Sequence, residues 1–426
     1  MTKYRIENGV LRCPVAGQRQ TNLYVDAGKI VAVGDSCDGF AEAVLVDARG
    51  KWIMPGIVDL SVSLREPGLK QKGSIESETY AAVKGGVTTV CCSPLSNPVN
   101  DSEAISHLIG EQARKAGYAR VLPVGAMTSR GEGKQLSAYY ALRSAGCIAV
   151  SHSRDCAIEP QVLRRCFQYA RTHDLTVFME PQETTLAQDG CVNEGVLSAR
   201  LGLVGIPHLA ETLMVSQSLL LAKETRVRLH LSQLSCAESV AMIRQAKANG
   251  VAVTADVTMH HLLLTENDVE PFDGRYHVLP PLRCESDREA LIQAVSDGTL
   301  DAIVSQHAPH EQAAKQAPFG ETEPGVSSIE LLLPLLFRLV ETTGLDLDTV
   351  LPLLTTKPAA IAGLTEYGLQ AGAVADFVIV DPDKRWKVNA SEMRSRGKNT
   401  LFSGVELPCS VEKTFVAGQN VYDCTL

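Results

Sequence analysis

The sequence predicts an α/β protein: a (β/α)8 barrel of the TIM type with a small β-domain built from both chain ends. Three observations predict it. Short apolar runs of strand length recur eight times between Gly56 and Ser305. Longer stretches of helical periodicity separate them, and strands that alternate with helices make a parallel sheet that eight units close into a barrel. Short strands and turns occupy both ends instead, residues 4–53 and again past Gly363. The expected division is residues 1–53 and 364–426 for the small domain and 54–363 for the barrel.

The elements follow in order. Tyr4-Arg-Ile-Glu-Asn-Gly-Val-Leu opens with alternation, and Asn22 to Gly34 reads as a hairpin turning through Ala27-Gly28. Met54-Pro-Gly turns the chain into a largely apolar run from Ile57 to Leu64, the first barrel strand. Further strands are expected at Thr88-Thr-Val-Cys-Cys, Arg120-Val-Leu-Pro-Val, Cys147-Ile-Ala-Val and Leu175-Thr-Val-Phe-Met. Arg228-Leu-His-Leu, Val251-Ala-Val-Thr-Ala-Asp and Asp301-Ala-Ile-Val-Ser complete the series. Helical patterns lie between them at Ser77 to Lys84, Gln161 to Thr172 and Ala237 to Ala248. Past the barrel, Asp376-Phe-Val-Ile-Val-Asp and Lys413-Thr-Phe-Val-Ala-Gly return to strand character.

Composition narrows the function classes. Over 426 residues the net charge is -9 and no basic run offsets it, which argues against nucleic-acid binding. No apolar run spans a bilayer and no signal core opens the chain, so a cytoplasmic protein without membrane contact is expected. Twelve cysteines are scattered without a Cys-x-x-Cys pair and read as small core residues in a reducing compartment.

Chemistry-bearing text is dense. Leu64-Arg-Glu-Pro-Gly, Ala82-Val-Lys-Gly-Gly-Val-Thr-Thr-Val, Asn97-Pro-Val and Asn193-Glu-Gly-Val-Leu-Ser-Ala-Arg lie in the first half of the chain. Pro280-Pro-Leu-Arg, Asp287-Arg-Glu-Ala-Leu, His307-Ala-Pro-His and Ala375-Asp-Phe-Val-Ile-Val-Asp-Pro follow. With these motifs nearly the whole chain resembles the dihydroorotases, zinc enzymes of the amidohydrolase superfamily. Their chemistry needs a metal to lower the pKa of a bound water and polarise the ring carbonyl, and a carboxylate to shuttle the proton.

The resemblance implies where those groups belong, and here they are replaced. The family's His-x-His strand end falls on Ser61 and Ser63, with Arg65 kept two residues on. Its acidic ligand falls on His152 or Ser153, and a later histidine on Glu180. The second histidine of His-x-x-His-x-Ser is Gln233, and the catalytic aspartate before His307-Ala-Pro-His310 is Gln306. Serine and glutamine are feeble zinc ligands, and glutamine takes up no proton near neutrality. These replacements sit in separate motifs whose flanks still align, so a single register slip does not explain them. The expectation is a site with no catalytic residue and no zinc or other cofactor. Arg65 and His310 match substrate-carboxylate contacts and are expected to survive as a vestigial binding pair.

Several local expectations remain open at this level. Arg65 binds an anion, or pairs with Glu66 or Glu180. His152, Glu180, His230 and His307 gather into an improvised metal site, or do not. His260 and His261 are expected to be satisfied histidines at a strand end. Leu95 and Leu279, at positions where the family has polar contacts, suggest a filled, dry mouth. Within the family the pattern is most similar to the non-catalytic dihydroorotase-like subunits of bacterial aspartate transcarbamoylase. That resemblance implies an assembly role with the transcarbamoylase catalytic chain and leaves a homodimer open. The alternatives are an active cyclic amidohydrolase with an altered metal site, and a sensor of dihydroorotate or carbamoyl-aspartate.

Overall fold

The computed structural model describes residues 2–14, 17–269 and 272–425. Eight parallel strands form its centre: β1 (Ile57–Val62), β2 (Val87–Cys92), β3 (Arg120–Ala126), β4 (Ala149–His152), β5 (Thr176–Met179), β6 (Leu229–Leu231), β7 (Val253–Thr258) and β8 (Ala302–Val304). They neighbour one another in chain order. The ring closes where the chain leaving β8 returns to β1, with a parallel bridge between Val62 and His307. The Ser63 amide donates to the His307 carbonyl at 2.8 Å there. Each expected barrel strand is present.

Val58, Leu60, Cys91, Val124, Ala149, Phe178, Ala302 and Val304 form one buried cluster against Ala359 and Ala362. This part of the barrel is therefore packed with side chains. A larger apolar cluster joins the strands to the surrounding helices. The helices predicted from periodicity appear as Ile75–Lys84, Pro160–Thr172 and Ala237–Ala248. The first begins two residues early because Ser74 caps it, accepting from the Ser77 amide, while Ser77 accepts from the Ser74 amide. Pro160 occupies the first turn of the second, where its missing N–H costs nothing.

The two chain ends do combine. A six-stranded sheet places Trp52–Pro55 beside Phe377–Lys387, which pairs in turn with Glu406–Val416. A four-stranded sheet holds Tyr4–Glu7 and the hairpin Asn22–Asp26 with Lys29–Gly34. Ala27 and Gly28 both take positive φ, as a two-residue hairpin turn requires. The buried cysteines serve as core atoms, and all twelve are free thiols. Among the described residues no helix is long and apolar enough to cross a membrane.

Candidate functional site

The barrel mouth holds a cavity of about 160 Å³. Ser61, Ser63, Arg65, Ser153, Glu180, Gln233 and Gln306 all line it, with Leu95 and Leu279 at its wall. Residues from five separate motifs thus meet at the carboxyl ends of the strands, as barrel topology demands. His152 is the exception. It ends β4 with Nε2 2.7 Å from the Cys156 carbonyl, so Ser153 is the one of that pair that faces the cavity.

Gln233 organises the polar contacts. Its Nε2 donates to Ser61 Oγ at 2.7 Å and toward Glu180 Oε1 at 3.4 Å. Its Oε1 accepts from Arg154 and from the Gln306 amide. Donors at one end and acceptors at the other fix which way the amide points. Gln306 Nε2 also donates to the Leu279 carbonyl at 2.6 Å. The backbone beneath is unusual: Arg65, Gln233 and Gln306 sit at φ 62°, 62° and 52°. Left-handed backbone at a residue with a Cβ costs on the order of 1 kcal/mol or more and clusters at functional sites. Three residues with strained backbone thus line one cavity.

Arg154 is the group that sequence reasoning missed. Its side chain is only 7% exposed, and Nε donates to Glu180 Oε2 at 3.2 Å while the guanidinium also binds Gln233. A permanent positive charge therefore stands among the residues that align with the family's metal ligands. Burial raises the Glu180 carboxyl above its ordinary range, and Arg154 partly offsets the rise. Glu180 is thus already neutralised by a guanidinium that cannot lose its proton. A divalent cation there would meet serine, glutamine, one engaged carboxylate and a repelling charge. These residues do not fit zinc. The signal lay in Val150-Ser-His-Ser-Arg, whose arginine follows directly on the two positions where the resemblance places the family's acid.

The improvised histidine site is not built either. His230 is fully buried, with Nε2 2.8 Å from Asp256 Oδ2 and Nδ1 2.8 Å from Thr254 Oγ1. His307 pairs through Nε2 with Glu78 at 2.8 Å, and the Ser328 amide approaches its Nδ1 at 3.2 Å. With both nitrogens of each ring engaged, neither is free to share an ion with Glu180. Asp59, Glu78 and Asp256 are the buried acids of this layer. A charged residue inside an apolar strand run, as in Ile57-Val-Asp-Leu, is the sequence cue for such a group.

Arg65 pairs with neither Glu66 nor Glu180. Glu66 pairs with Lys70 at 2.6 Å. Arg65 Nε instead donates to the Pro309 carbonyl at 3.1 Å, and its guanidinium lies 3.0 Å from His310 Nε2. His310 stands behind Arg65, packed among Arg65, Lys72 and Glu323. Burial and the charges of Arg65 and Lys72 push its pKa down to about 3, so the ring is neutral. The paired histidines divide. His261 is satisfied by Thr258 Oγ1 at 2.6 Å and the Pro281 carbonyl at 3.1 Å. His260 Nε2 is buried without a hydrogen-bond partner, as is Gln306 Oε1. The mouth is also less dry than Leu95 and Leu279 suggested, since four serines and four charged side chains line it beside them.

Other family text proves to be scaffold. Arg283 of Pro280-Pro-Leu-Arg is buried, donating to Asn193 Oδ1 at 2.8 Å and to the Ile206 carbonyl at 2.7 Å. It thereby ties the loop after β5 to the loop after β7.

Comparison with known proteins agrees with this arrangement. Residues 50–239 match the Dihydro-orotase-like family model, and residues 338–422 the Amidohydrolase family model. A dihydroorotase-like protein of Pseudomonas aeruginosa is 45% identical over 402 residues, covering 94% of this chain and 95% of its own. A dihydroorotase of Desulfotalea psychrophila is 40% identical over 376 residues, 88% of this chain and 89% of its own. Among solved structures, an L-hydantoinase (dihydropyrimidinase) of Arthrobacter aurescens superposes with a TM-score of 0.89 at 24% identity. That likeness covers 99% of this chain and 96% of the hydantoinase, and it establishes the shared fold. With this barrel, this mouth and relatives matched along nearly the whole chain, the protein belongs to the dihydroorotase-like family of the amidohydrolase superfamily.

Proposed function

We propose that this chain is a catalytically inactive dihydroorotase homologue that acts as a structural and assembly subunit for the catalytic chain of aspartate transcarbamoylase in pyrimidine biosynthesis. One observation carries the first half: Arg154 neutralises Glu180 where the family places metal ligands, and Gln306 stands where it places the proton-shuttling aspartate. Without a group to activate water or move a proton, the hydrolytic step has no source of hydroxide.

The partner comes from the resemblance to non-catalytic transcarbamoylase subunits. A role by contact is supported by the outer helix His208–Thr225. Its Leu209, Leu213 and Leu220 are 58%, 49% and 67% exposed. At about 100° per residue they fall within about 40° of one another and form one apolar stripe facing solvent. A contiguous apolar face of this kind marks an interaction surface more often than a free one.

The test is light scattering on the protein mixed with the transcarbamoylase catalytic chain, with activity assayed on each fraction. Co-elution and activity appearing only in the complex are expected, and Leu213→Asp with Leu220→Asp should abolish both while leaving the circular dichroism spectrum unchanged. Separate elution with undiminished transcarbamoylase activity removes the assembly role. Calorimetric binding of dihydroorotate or carbamoyl-aspartate without turnover would assign the chain to sensing instead.

The inactive reading has its own test. Ser61→His with Ser63→His should show no zinc-dependent dihydroorotate turnover, because Arg154, Gln233 and Gln306 persist. Turnover in that double variant that a chelator abolishes would show the site to be one step from catalysis.

A further inference from the structure

Away from the mouth, three helices bring metal-ligating side chains together at their first turns. His208 opens the helix His208–Thr225, Glu238 lies in the first turn of Ala237–Ala248, and Asp287 in that of Glu285–Ser296. One ligand atom from each lies within 4.8 Å of the others. It is the one such trio of histidine, cysteine or acidic residues among the described residues. From these contacts we infer that His208, Glu238 and Asp287 form a binding site for a divalent ion of the zinc class, separate from the barrel mouth.

Geometry favours coordination over a plain ion pair. His208 Nε2 lies 3.3 Å from Asp287 Oδ2, yet this nitrogen is shielded from solvent and makes no hydrogen bond. The approach is near in distance and poor in alignment. Two ligands of one tetrahedral ion, each bonded at about 2.0–2.1 Å, stand roughly 3.3–3.4 Å apart with their lone pairs aimed at the ion rather than at each other. The 3.3 Å separation of His208 Nε2 and Asp287 Oδ2 meets the spacing.

The surroundings suit the role. Asp287 is almost fully buried; its Oδ1 accepts from the Ala237 amide at 2.9 Å, and its Oδ2, facing the histidine, also accepts from Cys284 Sγ at 2.9 Å. Glu238 Oε2 lies 3.8 Å from the Nδ1 edge of the ring on a side chain that is 59% exposed, so it reaches an ion held on Nε2 by rotating its side chain. The three helix N-termini disfavour a cation by roughly half a charge each, and two carboxylates outweigh them. Three protein ligands leave the fourth position of a tetrahedral ion to water or a group from outside. Bound there, an ion would pin three helices together.

Zinc chloride titrated by calorimetry into the full chain, with cobalt(II) absorption as a second readout, tests the site. The native protein should bind with the visible bands of a tetrahedral nitrogen–oxygen site. His208→Gln and the exposed Glu238→Gln should each weaken binding at least tenfold with unchanged circular dichroism. Cys424→Ser, at an exposed thiol far from the cluster, and Glu180→Gln should leave it intact. Absence of binding overturns the inference, as does equal binding by the native protein and both weakening variants. Loss of binding in Cys424→Ser or Glu180→Gln alone also overturns it, since the ion would then sit elsewhere.

Discussion

Replacing Arg154 by methionine is expected to destabilise the fold by about 3 kcal/mol, the low end of the cost of stripping one partner from a buried ion pair. The loss has two sources. Glu180 forfeits its counter-charge at 3.2 Å, and Gln233 Oε1 forfeits one of its two donors. Glu180 is 21% exposed on its side chain and its pKa is already raised by burial. Protonation of that carboxyl therefore caps the penalty. The double variant Arg154→Met with Glu180→Leu should recover most of the loss, because a pair removed together leaves no stranded charge. Urea unfolding of the four proteins at pH 7.5 measures the coupling. A single-variant cost below about 0.5 kcal/mol, the range of an ordinary surface change, would mean that the guanidinium does not hold the mouth together.

Acid should destabilise the protein steeply between about pH 6.5 and 4. Burial pushes His261 and His277 down to about 4, and His310 to about 3 with help from Arg65 and Lys72. Burial also lowers His152, and His260 lies well below its ordinary value. Each ring stays neutral in the folded state, while in the unfolded chain it takes up a proton below about pH 6.5. Unfolding then binds protons, so stability is full above pH 6.5 and falls as the pH drops toward the folded values. At about 1.4 kcal/mol per unit per group, the shifts of His261, His277 and His310 sum to on the order of 10 kcal/mol by pH 4, comparable with the stability of a whole domain.

Asp59 works in the opposite direction. Burial raises it to about 6, so its charged form is disfavoured in the fold and that penalty is relieved as the pH falls below about 6. Its share is about 3 kcal/mol, too small to reverse the histidines. Urea midpoints at pH 7.5, 6.0 and 5.0 should therefore decline in order, and His310→Asn should flatten the decline. Stability that stays level from pH 7.5 to 5.0 would contradict the neutral-histidine picture.

Much of this molecule can be read from its residues. Strand period and length locate all eight barrel strands, since a run such as Thr88-Thr-Val-Cys-Cys is β-branched or small and apolar, and is buried throughout in the strand Val87–Cys92. Helical period places Ala237–Ala248 to the residue. The motif flanks identify the family, and by resemblance they align Ser61, Ser63, Gln233 and Gln306 with its ligand and catalytic positions. Their convergence on one cavity follows from topology, because each lies at or just past the carboxyl end of a barrel strand.

Pairing across the barrel was decided elsewhere. Arg154 reaches Gln233 across 79 residues of sequence, and Arg65 meets His310 across 245. No local period encodes either contact, since both depend on where ring closure sets two strand ends and which rotamers the neighbours leave open. The same is true of His230, which has metal-ligand chemistry but is used up by Asp256 and Thr254 on the adjacent strand. It holds as well for His208, Glu238 and Asp287, which are unremarkable in their own segments and become a cluster only when three helices pack side by side. The sequence by itself determined the barrel, the family and the absence of zinc ligands from the family's positions, because these are properties of local pattern and residue chemistry. Which charge stands beside Glu180, and where titratable groups meet, only the tertiary structure decided, because distance in space is set by packing and not by separation along the chain.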